Sequence, residues 1–210
     1  MPTQSGTLDR LRRLVRPTTF VKSWSLAQLL KADTLIASET FQHTGSFKFR
    51  AAYNVAQSVE QPELIAASSG NFGQALAYAA RLLGKTAIVV MPDDSARVKI
   101  EAVRRYGGIV DLVDVRKKSR GERVKEIAQE RKDARVVSAY DDLFVIEGNS
   151  TLGEEMAECG EEFDVVIVPV GGGGLCSGII EGLKRKGNGA RVYGAEPLLG
   201  NDAKRSFAAG

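Results

Sequence analysis

The chain has 210 residues, enough to bury a sizeable core in one or two domains, and its 43% hydrophobic and 26% charged residues are typical of an ordinary globular protein. Its formal net charge is only +3, and the basic clusters at 10–16 and 116–120 have little aromatic interleaving, so no nucleic-acid partner is expected. No apolar run approaches a membrane span, and residues 1–6 lack a signal-peptide core, so no membrane partner is expected.

Strand-like and helix-like segments alternate along the chain. Apolar, β-branched runs predict strands at 35–39, 64–68, 86–91, 109–114, 134–138, 164–170 and 191–195. Helical spacing of apolar residues predicts helices that include 49–59, 75–83, 96–105, 120–131 and 175–186. This alternation favours an α/β fold with mostly parallel sheets and flanking helices, in which ligands bind at the C-terminal ends of the strands.

The first candidate functional residue is Lys48, in the Gly/Ser break Thr44-Gly45-Ser46-Phe47-Lys48 between a predicted strand and a predicted helix. An ammonium group is poorly placed beside the N–H groups of a helix start. Desolvation in such a place lowers a lysine pKa and frees the amine for Schiff-base chemistry. An ordinary surface lysine would show the same local pattern, so Lys48 alone does not decide the function.

A second candidate segment, Ser68-Ser69-Gly70-Asn71, follows a predicted strand and precedes an Ala-rich helix. Its hydroxyl, amide and backbone donors at a helix start suit an anionic ligand. An ordinary helix N-cap would use the same residue types, so both interpretations remain open here.

The third candidate segment is a run of four glycines after the apolar strand predicted at 164–170. Consecutive glycine N–H groups can converge on a phosphate. The run does not match the dinucleotide-binding pattern, because it lacks the G-x-G-x-x-G spacing with a downstream ribose-binding acid. It does not match the Walker A pattern either, because Leu175 and Cys176 follow Gly174 in place of Lys and Ser/Thr. A flexible loop is the alternative. The four residues are Gly171, Gly172, Gly173 and Gly174.

Together these three motifs resemble those of fold-type II pyridoxal-phosphate enzymes, and most closely the serine/threonine dehydratase and serine racemase branch. The resemblance runs in the family's order from about Arg16 to the C-terminus. Further matching segments are Val90-Met91-Pro92, Ala102 to Gly108, Ile146 to Gly153 and Tyr193 to Pro197.

The resemblance implies a role for each candidate residue. Lys48 would form the internal aldimine with pyridoxal 5′-phosphate, and Asn71 would hydrogen-bond the phenolic oxygen of the cofactor. Ser68, Ser69 and Asn71 would grip the substrate carboxylate, and Ser69 would be an acid/base on the face opposite the lysine. Gly171 to Gly174 would hold the phosphate.

The resemblance also implies a cation site of two carboxylates and a backbone carbonyl, formed by Glu196, Gly200 and Asp202. Oxygen ligands of this kind suit Mg²⁺ or another hard divalent cation. A solvated helix start at Asn201-Asp202 would account for the same residues without a metal.

The domain division implied by the resemblance is a small mobile domain at 46–145 and a large cofactor-binding domain formed by 1–45 and 146–210. The implied reaction is dehydration of a β-hydroxy amino acid such as threonine or serine. In it the freed Lys48 amine removes the α-proton of the substrate, and the cofactor ring absorbs the charge. The implied partners are the amino-acid substrate and, as a possible assembly, a homodimer.

Two alternatives have the same ancestry: an amino-acid racemase or β-replacing synthase of this fold, and a truncated, non-catalytic protein that binds the cofactor or a partner chain. The second arises because family members usually continue well beyond 210 residues, into a segment that carries the residue facing the pyridine nitrogen. A fold lacking that segment would have an open sheet edge and exposed apolar surface. Phe72 stands where the branch often has histidine, which leaves the substrate open.

The remaining reactive residue types are few. Cys159 and Cys176 are isolated and lack metal-ligand spacing, which indicates reduced thiols and a cytoplasmic protein. His43 is the single histidine, and without a Ser/His/Asp triad or a His-based metal site it is interpreted as a polar loop residue.

Overall fold

The computed structural model describes residues 4–209, with side chains from Leu8 onward. The α-helices in this part of the chain are α1 (Gln4–Leu14), α2 (Trp24–Leu30), α3 (Lys48–Ser58), α4 (Asn71–Leu82), α5 (Arg97–Arg105), α6 (Arg120–Glu130), α7 (Leu143–Ala157), α8 (Gly174–Arg185) and α9 (Asp202–Ala209). The β-strands are β1 (Thr19–Lys22), β2 (Leu35–Ser38), β3 (Glu63–Ala67), β4 (Thr86–Pro92), β5 (Ile109–Val113), β6 (Ala134–Val136), β7 (Val165–Pro169) and β8 (Arg191–Ala195). Within residues 4–209 no helix is both long enough and apolar enough to cross a bilayer.

The seven predicted strands are confirmed as β2 to β8, and the five predicted helices as α3, α4, α5, α6 and α8. One predicted helix boundary was wrong: α4 begins at Asn71, four residues before the predicted start at Ala75. The hydroxyl of Ser68 accepts the N–H of Gly73 at 3.0 Å, which satisfies a donor of the first turn and lets the helix begin early. Strand β1 and helix α2, which are short, were not predicted.

The largest sheet is fully parallel, with strand order β5-β4-β3-β6. Both of its faces are buried, because successive residues of a strand point to opposite faces and each face is covered by helices. In β3, Leu64 and Ala66 face the core shared with α3 and α4, while Ile65 faces the smaller core shared with α6. This arrangement explains why the central strands read as continuous apolar runs in the sequence.

Two smaller sheets lie outside the parallel sheet. Strands β1 and β2 pair antiparallel, and β7 and β8 pair parallel. Helices α7 and α8 pack closely against each other, because a Cβ atom on Gly182 would lie only 2.1 Å from the carbonyl oxygen of Ser150. Both helices share a small apolar core with β7. The sheets are therefore mostly parallel, as predicted, and the one antiparallel pair is the exception.

The surface around β7 and the last helix is apolar and exposed. Ile167 of β7 is 71% exposed, and Leu198, Leu199 and Phe207 are each at least 90% exposed. Exposed apolar surface was expected from the sequence, and β7 contributes some of it. The domain boundaries predicted at 45/46 and 145/146 stay a prediction. Helix α3, which begins just after the first boundary, packs against α4 of the predicted small domain and against α7, most of which belongs to the predicted large domain.

A fully buried arginine, Arg50, joins four segments of the chain. Its guanidinium donates to both carboxylate oxygens of Glu39 and to both of Glu155 at 2.7–3.0 Å. It also donates to the hydroxyls of Thr18 and Thr151 at 3.1 Å. Burial acts to raise the pKa of the Glu155 carboxyl, but the hydrogen bond and charge of Arg50 outweigh it and hold that pKa below its ordinary value.

We expect Arg50→Met to lower the free energy of unfolding by about 3–5 kcal/mol, because removing one partner leaves buried carboxylates without their countercharge. Urea denaturation of the purified chain measures this loss. The matched control is Arg97→Met, whose partner Glu101 lies at 2.6 Å at the surface. Exposed pairs of that kind contribute about 0–1 kcal/mol, so equal losses in the two variants would contradict the role given to Arg50.

Candidate functional site

A cleft of about 780 Å³ lies at the C-terminal ends of the parallel strands. Segments that follow β3, β4, β5 and β6 all contribute to it, together with the first residue of α3. The strand order reverses between β3 and β6, which is the place where open α/β sheets bind their ligands. The lining residues are Lys48, Ala67, Ser68, Ser69, Gly70, Asn71, Phe72, Lys99, Ser119, Arg120, Gly121, Ala139 and Tyr140.

Lys48 reaches this cleft from the first position of α3. Its Nζ donates to the carbonyl oxygen of Ala139 at 3.0 Å and lies 4.9 Å from the ring centroid of Phe47 and 5.9 Å from that of Phe72. Burial lowers the pKa of Lys48, and none of its described neighbours is a carboxylate that pairs with it. The amine of Lys48 therefore loses its proton more easily than the amine of an exposed lysine.

The turn that delivers Lys48 is held by Gln42. Its side-chain oxygen accepts the N–H groups of His43 and Arg16 at 3.1 and 3.0 Å, and its amide donates back to the carbonyl of Arg16 at 2.8 Å. Thr44 then adopts a positive φ of 60°, an uncommon conformation for a residue with a side chain. This compact turn fixes the direction in which α3 begins.

The turn between β3 and α4 supplies the predicted donors. The buried hydroxyl of Ser68 is already engaged, since it accepts the N–H groups of Gly73 and Gly70 at 3.0 and 3.4 Å. In the part of the chain that the structure describes, the side chains of Ser69 and Asn71 have no hydrogen-bond partner, and both line the cleft. Ser68 therefore shapes the turn, whereas Ser69 and Asn71 are free to bind a ligand.

The four glycines adjoin this cleft without forming its wall. Gly173 has a φ of 82° and caps α8, and Gly174 is the first residue of that helix. The side-chain amide of Asn149 donates to the carbonyl of Gly174 at 3.0 Å, which anchors the loop to α7. The aromatic ring of Tyr140, which is a lining residue of the cleft, lies against Gly172.

The three predicted cation ligands lie elsewhere, and none of them lines the cleft. Both carboxylate oxygens of Glu196 accept backbone N–H groups at the start of α9, from Ala203 at 2.9 Å and Lys204 at 3.0 Å. Asp202 pairs with Arg205 at 2.6 Å. Among residues 4–209 no three His, Cys, Asp or Glu side chains are grouped as metal ligands. The cation site at Glu196, Gly200 and Asp202 stays a prediction.

The sequence did not predict the cleft residues outside the three motifs, which include Lys99, Arg120, Ala139 and Tyr140. Arg120 could have been found, because Ser119 and Glu122 form a capping box that marks a helix start just after a predicted strand. Lys99 lies inside a helix, and Tyr140 follows a three-residue strand, so neither carries a local signal.

The residues present fit pyridoxal phosphate. The aldehyde of that cofactor needs an unprotonated lysine, which burial of Lys48 favours. Its phosphate needs backbone donors at a helix start, and the glycine loop ends at the N-terminus of α8. Its ring oxygen needs a donor, and the amide of Asn71 has no described partner.

Comparison with known proteins agrees with this fit. The sequence profile of the family described as pyridoxal-phosphate dependent enzyme matches residues 11–210. Serine racemase of Schizosaccharomyces pombe is 34% identical over 206 residues, covering 96% of this chain and 64% of that protein. The L-threo-3-hydroxyaspartate ammonia-lyase of Saccharomyces cerevisiae is 34% identical over 217 residues, covering 100% and 66%. The catabolic L-threonine dehydratase of Staphylococcus aureus is 37% identical over 191 residues, covering 89% and 55%.

Solved structures share the fold. Maize serine racemase superposes with a TM-score of 0.92 at 31% identity, covering 98% of this chain and 64% of that one. The processed form of threonine deaminase isoform 2 from Solanum lycopersicum superposes with a TM-score of 0.86 at 28% identity, covering 100% and 64%. The chain thus spans about two thirds or less of the length of the curated relatives named above. On its sequence and its fold, this chain belongs to the pyridoxal-phosphate dependent enzymes of fold-type II.

Proposed function

We propose that this chain is a pyridoxal-phosphate-dependent ammonia-lyase that dehydrates a β-hydroxy amino acid such as threonine or serine. The observation that carries the proposal is the Lys48 amine, which is half-buried, has a lowered pKa and faces the cleft that Ser69 and Asn71 also line. A lysine amine that burial makes easier to deprotonate, beside unpaired polar groups, is suited to covalent cofactor attachment and to proton transfer.

Each residue of the cleft has a proposed task. When bound, the cofactor supplies a conjugated ring that stabilises negative charge at the α-carbon of the substrate. Lys48 holds the cofactor and then moves the α-proton through its Nζ atom. Asn71 orients the cofactor ring through its amide, and the N–H groups of Gly171 to Gly174 bind the phosphate.

The substrate carboxylate is bound by the turn that begins α4. Ser69 contributes a free hydroxyl, and the N–H groups of the first helical turn add the favourable end of the helix dipole. Ser68 supports this turn through its hydrogen bonds to Gly70 and Gly73. Because the Ser69 hydroxyl has no described partner, it also supports the alternative of an acid/base in a racemase of the same fold.

A β-hydroxy amino acid with an acidic side chain is a second candidate substrate. Lys99 and Arg120 line the cleft, and neither has an ion pair or a side-chain hydrogen bond to another described residue. No described lining residue is Asp or Glu, so a second carboxylate would find two countercharges there. The ammonia-lyase of Saccharomyces cerevisiae, which is named for L-threo-3-hydroxyaspartate, is consistent with this choice.

A bound cation, an assembly and a cellular location are also proposed. Glu196, Gly200 and Asp202 are proposed to bind a divalent cation, and a homodimer is proposed from the resemblance. A cytoplasmic location is supported by Cys159 and Cys176, which are free thiols. A β-replacing synthase of the same fold is one alternative, and substrate profiling with serine, threonine and hydroxyaspartate separates it from a lyase. A non-catalytic cofactor-binding protein is another, and it would attach the cofactor without turnover.

We expect Lys48→Ala to abolish covalent attachment of the cofactor, because it removes the amine that reacts with the aldehyde. The chain is incubated with pyridoxal phosphate, reduced with borohydride and examined by peptide mass spectrometry. The matched control is Lys85→Ala, since burial also lowers the pKa of Lys85 and its Nζ donates to a backbone carbonyl, yet it does not line the cleft. A label that persists in Lys48→Ala would contradict the proposal.

The lowered pKa of Lys48 also predicts a pH dependence of stability in the cofactor-free chain. The unfolded chain holds this proton up to about its ordinary value of 10.5, and the folded chain loses it at lower pH. Lys48 therefore destabilises the fold at neutral pH, and this cost disappears as the pH rises toward 10.5. We therefore expect the free energy of unfolding of wild type, measured by urea denaturation, to rise relative to that of Lys48→Met as the pH increases toward 10.5. A difference that is constant with pH would contradict the shift.

We expect Arg120→Gln and Lys99→Gln to weaken binding of hydroxyaspartate by about 10- to 100-fold each, the usual range for a charge-assisted hydrogen bond. Serine binding should change little, because serine has no second carboxylate. Titration of the absorbance of the cofactor-loaded chain measures both amino acids without requiring turnover. Arg104→Gln, on the same helix as Lys99 but outside the cleft, is the control. Equal losses for both amino acids would exclude the acidic substrate.

A further inference from the structure

The short segment Ser138–Asp142 joins the two sides of the proposed cofactor site. The hydroxyl of Ser138 accepts the N–H groups of Tyr140 and Asp141 at 3.3 and 2.9 Å. The carboxylate of Asp142 accepts the N–H of Phe144 at 2.9 Å and caps α7. Both ends of the segment are therefore fixed by their own side chains, and the residues between them have a defined position.

Two consecutive residues of this segment contact different parts of the site. The carbonyl oxygen of Ala139 accepts the hydrogen bond from Lys48 Nζ at 3.0 Å. The ring of Tyr140 lies against the backbone of Gly172, because a Cβ atom on that glycine would be only 2.1 Å from Cγ of the ring. A Cβ atom on Gly174 would be 2.5 Å from the carbonyl oxygen of Tyr140. One peptide unit therefore separates the contact with the amine from the contact with the glycine loop.

The four glycine positions differ in the space around the Cβ position and in the backbone conformation. Gly172 and Gly174 lack room for a side chain because Tyr140 occupies the space. Gly173 has a φ of 82°, which favours glycine on conformational grounds. Gly171 has open space around its Cβ position and no positive φ. The sequence interpretation gave all four glycines to the ligand, whereas two of them are required by a neighbouring tyrosine.

We propose that Tyr140 is a positioning residue that sets the separation between the Lys48 amine and the glycine loop. The inference rests on the proposed function, in which the loop binds the phosphate of the cofactor and the lysine binds its aldehyde. Those two groups are a fixed distance apart on one rigid molecule, so a small displacement of the loop relative to the amine weakens simultaneous binding. The ring seats the loop by packing, and its hydroxyl has no described hydrogen-bond partner.

The test compares pyridoxal phosphate with pyridoxal, which has the aldehyde but no phosphate. Tyr140→Ala is expected to weaken binding of pyridoxal phosphate at least 10-fold and to change binding of pyridoxal less than about 2-fold, because only the phosphate contact depends on the loop. Tyr140→Phe should match wild type for both compounds. Absorbance titration of the cofactor-free wild type and of both variants measures all six dissociation constants. Unchanged or tighter binding of pyridoxal phosphate by Tyr140→Ala would overturn the inference.

A second measurement needs no cofactor. Gly172→Ala is expected to lower the midpoint of thermal unfolding by several degrees, because the new methyl group meets the tyrosine ring. In the double variant with Tyr140→Ala most of that loss should be recovered, while Gly171→Ala should have the midpoint of wild type. A loss that is the same with and without the ring would overturn the proposed packing.

Failure of the inference differs from failure of the proposed function. A wild-type chain that takes up neither pyridoxal phosphate nor pyridoxal at Lys48 would contradict the proposed function, and the inference with it. A wild-type chain that binds pyridoxal phosphate, together with a Tyr140→Ala variant that binds it equally well, would contradict the inference alone.

Discussion

A buried guanidinium must have its charge and its donors satisfied, and this constraint organises the chain around Arg50. Glu39 reaches it from the end of β2, Glu155 from α7, and Thr18 from the segment before β1. Segments that are far apart in the sequence are thereby held at one point. Since Arg50 lies in the first turn of α3, the same network fixes the helix that carries Lys48 at its start.

The chemistry of the cleft follows from that placement. The amine of Lys48 is taken out of water without receiving a carboxylate, so its pKa falls, whereas Arg50 two residues later receives two carboxylates. Two basic side chains in one helical turn thus differ in their chemistry because their neighbours differ. The lysine amine becomes easier to deprotonate, and the arginine holds the surrounding segments together. On the other side of the cleft, the carbonyl of Ala139 accepts the hydrogen bond from Lys48, and the ring of Tyr140 contacts the glycine loop.

The predictable part of the fold consists of segments whose local pattern is strong. Strands β3 and β4 were predicted because both of their faces are buried and the sequence there is continuously apolar. Strand β1 was missed because it has four residues and no buried apolar side chain. The start of α4 was placed too late because Ser68 caps it from a distance of five residues. Local periodicity cannot report contacts of that kind.

The sequence alone determined the α/β class, because strand-like and helix-like patterns alternate along it. It also singled out Lys48, the Ser-Gly-Asn turn and the glycine loop as candidates, because each is a short run of residue types with a chemical reason to stand together. Only the tertiary structure decided which of them share a cleft. It brought Lys48, Ser69 and Asn71 together, gave Ser68 a supporting task and added Arg120 and Tyr140. The physical reason is that burial, the absence of a countercharge and the space beside a glycine are properties of neighbours in three dimensions, which residue order does not encode locally.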